Sequence, residues 1–171
     1  MSTWGKLLFD LAKSIAGHKA YLATCRREKR KRIVDYFDHI SSTLMDAAAA
    51  FEREERPWDK YREIGVHLEG FMKVVGNTLP DNDATLRLWH GLARALWHDE
   101  CLLGGARDRT ILDAITIRPE KAVIKNAAWR DNPIRDMDDD KIHMLVNEEI
   151  DRIREVAGMF RGYASQLRAI E

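Results

Sequence analysis

The sequence predicts an all-α fold, and three observations carry that prediction. Apolar residues recur at steps of three and four over long stretches, the spacing of one helix face. Helix-favouring Ala, Leu, Arg, Glu, Lys and Met are plentiful, whereas only four prolines and ten glycines occur in 171 residues. The few strong breakers also fall between the periodic stretches, at Arg56-Pro57, Leu79-Pro80, Gly104-Gly105 and Asn132-Pro133. The predicted architecture is a helical bundle of four main helices with a short helical insert before a long C-terminal helix. A chain of this length suits one domain with a sizeable core.

The first stretch, 1–25, reads as an amphipathic helix with Trp4, Leu7, Leu8, Leu11, Ile15 and Leu22 on one face and Lys6, Asp10 and Lys13 opposite. Those charges also exclude a membrane-spanning reading. Next comes Arg26-Arg27-Glu28-Lys29-Arg30-Lys31-Arg32, six cations and one anion in a protein of formal net charge zero. The apolar period then resumes at Ile33, Phe37, Ile40, Leu44, Ala47 and Phe51. Leu22 and Ile33 are eleven residues apart, about three turns at 3.6 residues per turn, so the phase is kept. One helix from Thr3 to Glu55 fits the pattern, with Gly17 and the cluster as places for a bend. The preferred reading is an amphipathic helix and a core helix joined by a charged neck at 26–32.

Core helices are predicted at 33–55, 58–79 and 83–103. The second has Tyr61, Ile64, Leu68, Phe71, Met72, Val75 and Leu79 inward, and Gly65, Gly70 and Gly76 fit either close helix approach or tolerated surface positions. The third has Leu86, Trp89, Leu92, Ala93 and Leu96 inward. Residues 104–136 are less regular. The final helix, within 137–171, starts among Asp138, Asp139 and Asp140, acidic residues favoured at a helix N-terminus. Val146, Ile153, Phe160 and Leu167 recur every seven residues, with Val156, Tyr163 and Ile170 as a second seam, a coiled-coil-like pattern suited to a homo-oligomer or a protein partner.

No convergent catalytic set stands out, so the expectation is a non-enzymatic protein without cofactor or metal. Asp139, His143 and Glu148 have partial metal-ligand spacing, but no second pair matches them, and His90 and His98 are two turns apart on one segment. Arg62 to His67 and Arg32 to His39 fit the Arg-then-His spacing of HEPN-class helical nucleases, a spacing that eighteen arginines and six histidines produce by chance. Cys25 lies beside the cations as a candidate reactive thiol, with no histidine indicated as its base. Two cysteines without a secretory signal point to a cytoplasmic location, with peripheral attachment at a membrane as the second expectation.

The working surface expected from the sequence is therefore Trp4, Leu8, Leu11 and Ile15 together with Arg26, Arg27, Lys29, Arg30, Lys31 and Arg32. Six cations in seven residues attract an acidic protein, anionic lipid or nucleic acid. An interaction or adaptor module is the first reading and a membrane-acting effector the second. A small nucleic-acid-binding subunit is the third, disfavoured by the neutral overall charge. An amphipathic lead helix on a four-helix bundle resembles the helical cell-death effectors of the HeLo type. That resemblance implies a lead helix that packs on the bundle at rest and is released onto anionic lipid.

Overall fold

The protein is all-α, as a computed structural model describes it over residues 4–53, 55, 58–76, 87, 89–91, 93 and 139–170. Five helices are delimited: α1 (Trp4–Gly17), α2 (Lys19–Ala23), α3 (Arg27–Glu52), α4 (Trp58–Val75) and α5 (Asp139–Arg168). Arg87, Trp89, His90, Gly91 and Ala93 are also helical. The rest of the expected 83–103 helix, including Leu86, Leu92 and Leu96, lies outside the described residues. So do Leu79, Trp97 and the whole 104–136 segment.

The amino-terminal region differs from the sequence reading. The single helix compatible with residues 3–55 is broken twice, at His18 and at Thr24–Arg26. The break at Thr24–Arg26 reverses the chain. Gly5 meets Glu149 and Ala12 meets Tyr163, so α1 runs parallel to α5. Ser41 meets Ala157, and Glu52 meets Arg154, so α3 runs antiparallel to it. Thr24 closes the turn by donating its hydroxyl hydrogen to the carbonyl of Tyr21 at 2.7 Å, the kind of local bond with which threonine ends a helix. The basic cluster is consequently not a neck. Arg26 is the N-cap and residues 27–32 are the first turns of α3.

α3 is the central helix, packing most extensively against α5 and next against α4. Its buried face contains the predicted stripe, Ile33, Phe37, Ile40, Leu44, Ala47 and Phe51, and adds Val34 and Ala48. Phe37 sits where three helices meet. Its ring lies 5.1 Å from Phe71 of α4 and 5.5 Å from Phe160 of α5, both tilted as aromatic pairs prefer. Phe71 in turn lies 5.6 Å from Trp89, whose indole N–H donates to Ser14 Oγ of α1 at 3.0 Å. The close approach of α3 to α4 depends on Gly70: a Cβ there would stand 2.5 Å from the Tyr36 ring. The seam of α5 is used within the chain, since Ile153, Val156, Phe160 and Leu167 are all buried in this core.

Phe160 is wholly inaccessible to solvent. Phe160→Ala is expected to lower unfolding free energy by about 3–5 kcal/mol, the usual cost of removing a buried phenyl ring. Urea denaturation of the two proteins, followed by circular dichroism, checks this.

Candidate anionic-surface site

The ten residues expected to form a working surface divide into two groups. Leu8, Leu11 and Ile15 are 1% exposed, and with Ala12 they form the face of α1 that packs on α5. Burying each large aliphatic side chain stabilises the fold by about 1.5–3 kcal/mol, so this stripe holds α1 in place. Trp4 opens α1, and its side chain lies outside the described residues. The basic cluster lies elsewhere, where the C-termini of α2 and α5 meet the N-terminus of α3.

Within the cluster, Arg30 has a structural task. Its guanidinium donates to the carbonyls of Ala23 and Cys25, both at 3.3 Å, and to the carbonyl of Ile170. These are acceptors at and just beyond the last turns of α2 and α5, where carbonyl groups lack helical partners and a cation is favoured. Lys29, beside it, is half-buried. Arg26, Arg27, Lys31 and Arg32 are exposed, and no ion pair or side-chain hydrogen bond to another described residue holds them. Arg26 and Arg27 stand at the positive end of the α3 dipole, where each cation costs a few tenths of a kcal/mol up to about 1 kcal/mol, whereas Lys31 and Arg32 lie beyond the first turn. Glu28 is the one acidic residue in that first turn.

Between α3 and the end of α5 lies an open cleft of about 450 Å³ lined by Arg27, Glu28, Arg30, Lys31, Val34, Asp35, Leu167, Arg168 and Ile170. Arg168 is ion-paired with Asp38. Arg32 is not among its walls. Cys25 is half-buried, with its thiol directed at the Tyr21 carbonyl 3.8 Å away.

A second polar site was hidden in the sequence. Glu149 is 3% exposed, and its carboxylate accepts the backbone N–H of Gly5 at 2.7 Å, capping the N-terminus of α1. A Cβ on Gly5 would come within 2.9 Å of that carboxylate, so the glycine makes room for it. Burial, and then the charge of Glu149, push the Tyr61 phenol well above its ordinary range. The signal that could have found this site is weak, since Glu148 and Glu149 are adjacent and only helical phase places one outside and one inside.

The histidines singled out by spacing also come apart. His39 and His67 stack with ring centroids 5.1 Å apart, joining α3 to α4. Arg62, however, lies on the exposed side of α4 and pairs with Asp59 at 3.6 Å, so it does not converge with His67. His143 and Glu148 are exposed, whereas the Asp139 side chain and His98 lie outside the described residues. Among the described residues, no three metal-ligating side chains cluster as a metal ion requires, and no helix is long and apolar enough to cross a membrane. Compared with protein-family models, curated proteins and solved structures, the chain matches none.

His67 is held below the ordinary imidazole range, first by burial and next by His39, while Glu63 at 3.7 Å pulls the other way. Tyr36 is the remaining ring against it. The unfolded chain thus binds a proton more readily than the folded one. The contribution of His67 to stability is therefore complete above the unfolded value of about 6.5 and is lost as pH falls through the lowered one. His67→Gln is expected to flatten that acid-side decline, as read by urea unfolding at a series of pH values.

Proposed function

We propose that the protein is a non-enzymatic helical-bundle interaction protein that engages an anionic partner through the exposed basic turns at the start of α3. One observation carries this reading: Arg26, Arg27, Lys31 and Arg32 are exposed and lack side-chain partners among the described residues, and the first two stand at the disfavoured end of a helix dipole. A purely structural role accounts for Arg30 and leaves these four without one. The apolar stripe of α1 belongs to the core in this arrangement, so the working surface narrows to the basic turns. A membrane-acting effector is the second reading. It is favoured by the docking of α1, which rests chiefly on α5 and is fastened by bonds from Gly5 to Glu149 and from Tyr163 to Ala12.

The test compares the full chain with a variant carrying Gln at 26, 27, 31 and 32. Each is mixed with anionic vesicles, single-stranded RNA and polyglutamate at two salt concentrations. Each cation near an anionic surface contributes about 1 kcal/mol before screening, so the variant should bind its preferred surface on the order of a hundredfold more weakly. Its circular dichroism should be unchanged. Equal behaviour of the two proteins on every surface would sink the proposal. Vesicle leakage that stops when α1 is covalently tethered to α5 would select the second reading.

A further inference from the structure

The cleft between α3 and the end of α5 has a more specific chemistry than a basic patch. Four cations line it, Arg27, Arg30, Lys31 and Arg168, against two carboxylates, Glu28 and Asp35. Asp38, just outside the walls, already offsets Arg168, so the balance is a net of one positive charge. A phosphate monoester carries about 1.5 to 2 negative charges near neutral pH on one compact group, which several cations can meet at once. Arg27 and Lys31 are one turn apart on α3, the spacing at which two side chains reach the same point on a helix surface. Arg30 and Arg168 are already oriented, the first by three carbonyls and the second by Asp38.

The remaining walls are apolar. Val34 and Leu167 form a buried base, and Ile170 is 36% exposed at the rim. Apolar side chains beside convergent cations provide for an ester with an apolar or aromatic substituent. The volume of about 450 Å³ is within the usual range for a small-molecule site, roughly 300–1,000 Å³. Resting on the reading of the basic turns as an anion-binding surface, we infer that this cleft binds one phosphomonoester group bearing an apolar substituent. The group is supplied either by a soluble ester or by a lipid headgroup such as phosphatidic acid.

Calorimetric titration with phenyl phosphate, inorganic phosphate and phenyl sulfate tests the chemistry. Vesicles containing phosphatidic acid, compared with charge-matched vesicles of phosphatidylglycerol, test the membrane source. Phenyl phosphate should bind more tightly than inorganic phosphate or phenyl sulfate, or phosphatidic acid vesicles more tightly than the matched ones. Whichever arm responds identifies the source. Arg27→Gln with Lys31→Gln removes two charge-assisted contacts and should weaken that binding about tenfold or more. Arg161→Gln, an exposed cation of α5 outside both the cleft and the basic turns, should leave it unchanged, and Ile170→Ser should abolish the advantage of the phenyl group. If phenyl phosphate shows no advantage and all anionic vesicles bind alike, while the variant with Gln at 26, 27, 31 and 32 still loses binding, the cleft proposal is overturned and the basic surface stands. Absence of binding to every anion, polyglutamate and RNA included, would overturn both.

Discussion

The structure depends on one ring. Phe37 is fully buried midway between Phe71 and Phe160, so α3 must face α4 and α5 at once. Once that junction forms, the neighbours follow. Phe71 places Trp89, Trp89 reaches Ser14, and the apolar face of α1 closes over α5. Close packing of this kind transmits the position of one helix to the next, because a core at crystal-like density has few alternative arrangements. The polar bonds around it are consistent with the same register. Ser41 donates to the Ala157 carbonyl at 2.8 Å inside the α3–α5 interface, where an unmet hydroxyl would be costly.

Residues with strong helical period were the legible ones. Phe37, Leu44, Phe51, Leu68, Phe71, Ile153 and Phe160 are buried as the stripes predict, and Gly70 serves the close approach expected of a small residue. Periodicity misses the reversal at Thr24–Arg26 for a definite reason. The eleven residues from Leu22 to Ile33 preserve helical phase, so a turn that keeps both residues buried leaves no trace in the pattern. The amphipathic face of α1 was equally visible, but period alone cannot tell a stripe that meets its own core from one that meets a partner or a lipid surface. Glu149, the His39–His67 stack and the bonds of Arg30 are products of tertiary placement. No local pattern distinguishes Arg30 from Lys31.

That last distinction governs how the candidate site is understood. In the sequence the six cations look equivalent, yet the fold divides them by the direction in which each leaves α3. Arg30 points toward the carbonyl ends of α2 and α5, so its charge is absorbed by groups that need it. Arg27 and Lys31 line the cleft, whereas Arg32 does not. The same cluster is therefore part clamp and part surface.

Bringing three helix ends together has a further electrostatic consequence. The C-termini of α2 and α5 present partial negative charge, and the N-terminus of α3 presents partial positive charge beside them. Left alone, these would largely offset one another. Arg30 satisfies carbonyls at the two C-terminal ends, which leaves the positive end of α3 and the exposed cations around it without a counterweight on that side. Glu28 and Asp35 then bound the excess laterally, so positive potential is concentrated in the cleft rather than spread over the whole end of the bundle. A protein with zero formal net charge thus presents four exposed cations, Arg26, Arg27, Lys31 and Arg32, within two turns at one end of a helix.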